Sequence, residues 1–377
     1  MNARTVSLGL ALTMLMATHC ASPALAQMTI VNPALVAKVG GVPQFQVDPF
    51  FPKHLPNNWL LGQVSGIRFD KNDHLWVTHR AGALTERELA ADKGRARCCS
   101  KTPPVLVFDL AGNVIKSWGG PGQGYNWPKS EHGIYIDDNN FVWIAGNDRT
   151  DGQILKFTMD GKFVLQIGKP IEAPDSNATD RLGQPADIAV DTAAKEVYVA
   201  DGYGNRRVAV FDSETGAYKR HWGAYGKKPS DDKTPPYDPA AAPAQQFANP
   251  VHCVRFSKEG LLYVCDRSNA RYQIFRKDGT FVSEHFFEKQ TRLNGTVYEL
   301  AFSPDPEQKF IYIVDGSNGE VRIVERASNE ILARFGRVGR QAGEFTAVHN
   351  IAVDSAGNIY TAEVQTGQRI QKFRKLD

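Results

Sequence analysis

The sequence predicts an all-β protein, a six-bladed β-propeller whose blades are four-stranded antiparallel sheets. The first observation is a repeat, because the stretch DGYGNRRVAVF at 201–211 returns in altered form at roughly fifty-residue intervals. The second is that two short runs of alternating apolar residues around a polar turn precede each copy, which is typical of a β-hairpin. Further strand-like runs follow the copies, so each repeat supplies the four strands of a blade. The other copies begin at Asn147, Asp266, Asp315 and Glu363.

The repeats account for residues 63–377, which leaves no room for a second domain. Unit one is interrupted after Arg80 by a helix-compatible insertion, ALTERELAADKGRAR. A second insertion, YGKKPSDDKTPPYDPAAAPAQQ, follows unit three, and its Pro, Ala and charged residues predict a loop. The last unit has room for only three strands, so we expect the segment 27–62 to supply the fourth and close the ring.

Residues 1–26 have the pattern of a signal peptide. Arg4 is followed by the apolar run VSLGLALTMLMA, and the small-residue motif ALA precedes Gln27. The apolar run is too short to span a bilayer. We therefore expect an exported protein, periplasmic or secreted, with no membrane span.

Composition excludes some partners. The formal net charge is +3, and it is spread along the chain without a basic block, which argues against a nucleic-acid ligand. Nothing in the sequence indicates an obligate interface, so we expect a monomer.

Export permits disulfide bonds. The adjacent Cys98 and Cys99 could form a vicinal disulfide or be bridged by a soft metal. Cys253 and Cys265 lie on the two arms of one predicted hairpin, where either a cross-strand disulfide or two buried thiols would fit.

Aligning the first strands of the six units on the turn that follows them gives one equivalent position per blade. Three of the six residues are histidines, and they fall on alternate blades, so their imidazoles should converge on the central axis. Three imidazoles form a site for zinc or a similar divalent metal that keeps one position open for water or substrate. A single histidine at a strand start more often caps a backbone group, but the shared register favours a metal site. The aligned residues are Ser65, His132, Ala186, His252, Tyr298 and His349.

The second strands end on the same face of the ring. This places Arg80, Asn147 and Arg267 near the channel mouth, with Tyr203 just beyond the end of the third blade's second strand. Paired guanidinium groups beside a metal suit a substrate that carries a carboxylate. Tyr203 would then be a proton-transfer group, with side-chain packing as the alternative. The arginines could instead form ion pairs at the rim with Asp148, Asp201 or Asp266.

The chain resembles the NHL-repeat propellers and, among them, the peptidyl-α-hydroxyglycine α-amidating lyase domain. The resemblance covers about residues 45–375. It rests on LLGQVSGIRFD, on THR ending at Arg80, and on HGIYID, QPADIAVD, VADGYGNRR, FANPVHC, VCDRSNAR and FTAVHNIAVD.

The resemblance implies that His132, His252 and His349 bind zinc, that Arg80 and Arg267 face the substrate, and that Tyr203 is the base. The implied reaction cleaves the C–N bond of a carbinolamide and releases an amide and glyoxylate. The family's calcium-binding Asp corresponds to Asn350 here, with carbonyl ligands expected at Ile67 and Ile134. A neutral amide in place of a carboxylate weakens a site for a hard cation, so calcium is poorly supported.

Two other functions fit the same fold. A metal-free NHL propeller could bind a protein or a cell-wall polymer through exposed aromatic residues such as Tyr125, Trp127 and Trp222. A metal-dependent hydrolase or lactonase would need acidic and amide ligands in the channel, whereas this channel is predicted to be rich in histidine.

Overall fold

The computed structural model describes residues 30–31 and 41–376, so the predicted signal peptide lies outside the described residues. Six antiparallel sheets surround a central channel, which confirms the predicted all-β six-bladed propeller. The first strand of each blade packs against the first strands of its neighbours and is therefore innermost. In this part of the chain no helix is long and apolar enough to cross a bilayer.

In blades one to five the strands run in chain order from the axis outward. Blade one contains Gln63–Phe69, Leu75–Arg80, Val105–Phe108 and Val114–Trp118. Blade two contains Glu131–Ile136, Phe141–Gly146, Gln153–Thr158 and Phe163–Gly168. Blade three contains Pro185–Asp191, Glu196–Asp201, Arg207–Asp212 and Tyr218–Trp222. Blade four contains Val251–Phe256, Leu262–Asp266, Arg271–Phe275 and Phe281–Phe286. Blade five contains Glu299–Phe302, Phe310–Asp315, Glu320–Glu325 and Ile331–Phe335.

Blade six joins the two ends of the chain. Its inner strands are Val348–Val353, Ile359–Glu363 and Ile370–Leu376. Its outermost strand, Gln44–Asp48, comes from the N-terminal segment and pairs antiparallel with the last strand. The two-residue strand Ile30–Val31 adds to the outer edge of blade five. The ring is therefore closed by backbone hydrogen bonds between the two ends of the chain.

The insertion of blade one does not form the helix that its composition allows. After the 3₁₀ turn Ala81–Ala83 it consists of successive turns and returns through the short strand Ser100–Lys101, which pairs in parallel with Trp59–Leu60. Its side chains are mostly exposed, so no apolar face is available to stabilise a short helix by packing. The insertion after blade three contains no helix or strand between 227 and 250. The other 3₁₀ turns are Pro56–Asn58, Ala224–Gly226 and Arg267–Asn269.

Both predicted cysteine pairs are disulfide-bonded. Cys98 and Cys99 form a vicinal disulfide in the insertion of blade one. Cys253 and Cys265 form a cross-strand disulfide between the first and second strands of blade four. The second bond links the residue directly after His252 to the neighbouring strand, so it restrains the backbone at the channel.

The repeated stretch that defines the blades contains a buried ion pair. The acidic residue ends the second strand, and an arginine lies within two residues of the start of the third, so the pair spans the turn between them. In blade three the Arg207 Nε lies 2.8 Å from the Asp201 carboxylate, and both side chains are fully buried. The same Asp201 accepts hydrogen bonds from the Gly183 backbone and the Asn205 amide. The equivalent pairs are Asp266–Arg271, Asp315–Arg322 and Glu363–Arg369.

We predict that Arg207→Ala lowers the free energy of unfolding by about 3–5 kcal/mol, because it leaves the Asp201 carboxylate buried without its partner. Equilibrium denaturation in urea measures the loss. Lys195→Ala is the control, since Lys195 pairs with Glu214 on the surface of the same blade; its unfolding midpoint should match that of the wild type. Equal midpoints for both variants would contradict a structural role for the buried pair.

Candidate metal centre and substrate rim

The three histidines of the predicted metal site meet in the channel. His132, His252 and His349 are each the second residue of an innermost strand. All three side chains are buried, and each offers one ring nitrogen within 4.8 Å of the others. Among the described residues they are the one group of three or more His, Cys, Asp or Glu side chains placed to share an ion.

A β-bulge directs these side chains to the axis. The pairing of the first two strands shifts register across His252, between Val251 and Cys253, and the same shift spans His349 in blade six. In blade two the shift falls at the corresponding place and includes His132. Bulges bend a strand and re-aim one side chain, so the repeated irregularity explains how residues of a regular sheet edge converge.

Backbone carbonyls of the next blade fix the orientation of each ring. The Nδ1 atoms lie 2.7 Å from Ala186 O for His132, 2.5 Å from Tyr298 O for His252 and 2.9 Å from Ser65 O for His349. A carbonyl oxygen can only accept, so each Nδ1 carries the hydrogen and each Nε2 presents a lone pair to the channel.

The described residues offer too few hydrogen-bond donors for these three lone pairs. The Nε2 atoms of His252 and His349 are 3.1 Å apart, and both are acceptors. The Tyr203 hydroxyl lies 2.9 Å from His132 Nε2 and 3.0 Å from His252 Nε2, but it has one hydrogen to donate. A cation satisfies all three nitrogens at once. The three histidines could therefore hold a divalent metal ion.

Burial keeps the histidines in the neutral form that binds metals. Loss of solvent lowers the pKa of His132 and His252 well below the usual value, and the neighbouring His349 lowers both further. Burial, reinforced by the positive charges of Arg80 and Arg267, lowers the pKa of His349 to about 3. A neutral imidazole is the required ligand, because protons compete with the metal.

Arg80 is fixed at the rim by neutral groups. Its Nε donates to Glu131 O at 2.9 Å, and its two terminal nitrogens donate to Gln63 Oε1 at 3.0 Å and to Asn147 Oδ1 at 3.2 Å. The Asn147 oxygen also accepts from the Ser130 hydroxyl at 2.8 Å. The position of Asn147 at the channel mouth predicts a substrate-binding residue; in the structure its side-chain oxygen contacts Arg80 and Ser130.

Arg267 lies over aromatic rings. Its guanidinium carbon is 4.6 Å from the ring centroid of Tyr298 and 5.8 Å from that of Tyr203. Its Nε is buried and has no hydrogen-bond partner in the described chain. Among the described residues no ion pair joins Arg80 or Arg267 to the candidate partners Asp148, Asp201 and Asp266. Asp201 and Asp266 pair instead with the arginines of their own repeats. Within 41–376 both rim arginines therefore keep their charge free of a carboxylate partner.

A cluster of hydrogen-bonded and ion-paired side chains surrounds Asn350, the residue that corresponds to the expected calcium ligand. Asn350 Oδ1 accepts from the Ile67 backbone at 3.4 Å, and its Nδ2 donates to Glu299 Oε2 at 3.1 Å. Arg255 donates to the same Glu299 oxygen at 2.8 Å and also pairs with Asp187. The amide expected to replace a metal-binding carboxylate is thus engaged in hydrogen bonds, and a guanidinium supplies the positive charge beside it.

Asn249 is a functional candidate that the sequence analysis did not single out. Its Nδ2 lies 2.8 Å from Gly202 O, 3.2 Å from Tyr203 O and 2.9 Å from Asn205 O. Its backbone oxygen accepts from the hydroxyl of Ser268, the neighbour of Arg267, at 2.8 Å. One side chain thus holds the turn that carries Tyr203 against blade four. The signal in the sequence was the Asn-Pro pair in FANPVHC, just before His252.

We predict that Asn249→Ala loosens this turn. Each lost hydrogen bond contributes about 0.5–1.5 kcal/mol, so amide hydrogen exchange of residues 202–206 should accelerate about tenfold or more. Asn113→Ala is the matched control, because Asn113 bonds only within an exposed turn of blade one. Unchanged exchange at 202–206 in Asn249→Ala would show that the turn is held by other contacts.

His79, next to Arg80, is a second residue that the sequence analysis missed. It is completely buried. Its Nδ1 accepts from the Gly62 backbone at 3.1 Å, and its Nε2 faces Pro103 O at 3.0 Å, so the ring bridges the residue before the first strand of blade one and the end of the insertion. Burial lowers the pKa of His79 from 6.5 to about 4.

This pKa shift gives a pH-dependent stability. The folded state resists protonation of His79, whereas the unfolded chain does not. The neutral His79 ring therefore contributes fully to folding stability above pH 6.5, and this contribution is lost as the pH falls towards about 4. We predict that the stability difference between wild type and His79→Gln is larger at pH 7 than at pH 4 by roughly 3 kcal/mol, measured by urea denaturation at both pH values. A difference that does not change with pH would contradict the neutral buried ring.

Sequence comparisons show which known proteins this chain resembles. The family model of the NHL repeat matches residues 182–211, which lie in and just before blade three. Peptidyl-alpha-hydroxyglycine alpha-amidating lyase 1 of Drosophila melanogaster is 28% identical over 341 residues, covering 84% of this chain and 58% of the fly protein. Peptidyl-glycine alpha-amidating monooxygenase B of Xenopus laevis is 26% identical over 318 residues, covering 81% of this chain and 33% of the frog protein. This chain is related to the amidating lyases.

The relationship has limits that matter for function. The chain spans less than two thirds of the length of each of these two relatives. A solved streptogramin B lyase superposes with a TM-score of 0.52 at 13% identity, covering 88% of this chain and 98% of that chain, which supports the fold alone. The resemblance inferred from the sequence motifs is therefore confirmed, whereas the substrate must be argued from the site.

Proposed function

We propose that this protein is an exported, metal-dependent lyase that cleaves the C–N bond of an α-hydroxyglycine amide and releases an amide and glyoxylate. The observation that carries the proposal is the convergence of three Nε2 lone pairs beside Tyr203 and two arginines that have no carboxylate partner among the described residues. The relationship to the amidating lyases supports the same chemistry.

The chain's own residues supply binding and proton transfer. Arg80 and Arg267 would hold the substrate carboxylate, which becomes the carboxylate of glyoxylate. Tyr203, as its phenolate, would accept the proton of the substrate hydroxyl. The C=O bond forms as the C–N bond breaks, and the proton passes from Tyr203 to the leaving amide nitrogen, which restores the phenolate. A divalent ion on the three Nε2 atoms would supply the positive charge that lowers the pKa of a hydroxyl at its open position.

Zinc is the metal we propose, because three imidazoles with one open position match its preferred coordination.

The competing functions have less support. Trp222 is buried against Phe275, so it offers no exposed aromatic surface to a partner. Tyr125 and Trp127 are only partly exposed, because both pack on Phe157. A calcium-dependent hydrolase would need acidic ligands, but Glu299 is paired with Arg255.

The test combines a measurement of zinc content with an assay of glyoxylate release. We predict about one zinc per chain in the reconstituted protein and release of glyoxylate from N-benzoyl-α-hydroxyglycine. His349→Ala should lose both. Tyr203→Phe should keep its zinc but lose about 100- to 10,000-fold in kcat, because it lacks the group that transfers the proton.

His285→Ala is the control, since His285 lies in the outermost strand of blade four, away from the channel. It should retain zinc and activity. Stoichiometric zinc without glyoxylate release from any α-hydroxyglycine amide would rule out the lyase while leaving the metal site intact. Absence of zinc after reconstitution would rule out both.

A further inference from the structure

We propose that an apolar pocket beneath the insertion after blade three binds the amide side of the substrate. We further propose that this pocket selects α-hydroxyglycine amides in which the residue next to the scissile amide is large and apolar. This inference rests on the proposed lyase function. The pocket is a cavity of about 320 Å³ whose walls include Pro236, Tyr237, Ala242, Phe247 and Phe286. This volume lies at the lower end of the range of small-ligand sites.

The pocket lies on the face of the ring that carries the histidines. The insertion enters the first strand of blade four just before His252, and that strand pairs with the end of the second strand, where Val251 lies opposite Asp266. Ser268 and Asn269, the two residues after Arg267, line the pocket directly. The pocket therefore begins one residue along the chain from Arg267, the arginine proposed to hold the substrate carboxylate.

From that point the pocket runs outward across the blade. It reaches Phe286, the last residue of the outermost strand, whereas Ser268 lies in the turn that follows the second strand. Adjacent strands are about 4.8 Å apart, so the pocket extends roughly 10 Å from the second strand to the fourth. This matches about three residues of extended peptide. A substrate whose carboxylate lies at Arg267 can place its next residues here.

The walls favour an apolar occupant and are firmly held. Proline, alanine and aromatic side chains dominate the lining. The Tyr237 hydroxyl donates to Lys289 O at 2.9 Å, which ties the insertion to the segment after the outermost strand. On the other side, Arg271 donates to Ala244 O at 2.8 Å. The insertion is thus anchored at both ends of the pocket, so the cavity is formed before a ligand arrives.

The experiment compares two substrates that differ only at the residue next to the scissile amide, N-acetyl-Phe-α-hydroxyglycine and N-acetyl-Gly-α-hydroxyglycine. Burial of a phenylalanine side chain should raise kcat/KM for the first substrate by about 10- to 100-fold in the zinc-loaded wild type. Ala242→Trp, which fills the pocket, should reduce that ratio to about one. Tyr237→Ala, which removes a wall, should also lower the ratio.

Ala240→Trp is the matched control, because Ala240 is an exposed alanine of the same insertion that does not line the pocket. It should keep the wild-type ratio. Calorimetry with the amide product N-acetylphenylalaninamide provides a readout without turnover, with N-acetylglycinamide as its comparison. The phenylalanine amide should bind more tightly to wild type and lose that advantage in Ala242→Trp.

The outcomes separate this inference from the proposed function. Turnover of both substrates with equal efficiency, or a ratio that Ala242→Trp does not change, overturns the pocket assignment and leaves the lyase standing. Failure to cleave either substrate, together with selective binding of the phenylalanine amide that Ala242→Trp abolishes, overturns the lyase and leaves the pocket standing. Neither cleavage nor selective binding overturns both.

Discussion

The centre of this propeller depends on three hydrogen bonds that join alternate blades to their neighbours. Each metal-site histidine donates from Nδ1 to the backbone oxygen of the aligned residue in the next blade, namely Ser65, Ala186 or Tyr298. A buried carbonyl requires a donor, so the bond stabilises the ring and at the same time fixes the tautomer. The metal-binding nitrogens are therefore oriented by contacts between neighbouring blades.

The rim residues depend on the repeat in a comparable way. Tyr203 and Arg267 lie in the turns that the Asp201–Arg207 and Asp266–Arg271 pairs span, and these pairs are buried. Because those carboxylates are satisfied within their own repeats, they do not neutralise the arginine at the channel mouth. The same residues that define the sequence repeat thus leave a free positive charge beside the proposed metal. The buried ion pairs within the repeats therefore stabilise the blades and also leave Arg267 free to bind the proposed substrate carboxylate.

The blades and the level of the three histidines could be predicted from the sequence, because equivalent residues of successive propeller repeats lie at equivalent places around the channel. Alignment of the six units sufficed to place His132, His252 and His349 at one level of the channel. Hydrogen-bond partners do not follow from spacing. The role of Asn249 depends on three carbonyls in a neighbouring blade, and the neutral ring of His79 depends on how the insertion folds back. The helix allowed by composition in that insertion did not form because tertiary packing offers it no apolar partner.

The two insertions suggest how chemistry and specificity are divided on this scaffold. One begins directly after Arg80, and the other ends directly before the strand that carries His252. Both therefore lie on the face of the ring that carries the metal site, while the strands that hold the histidines remain regular except for their bulges. Loops on a rigid sheet can change length without disturbing the blades, because their backbone lies outside the ladder of hydrogen bonds. A substrate pocket built from the second insertion could accordingly vary while the histidines and arginines stay in place.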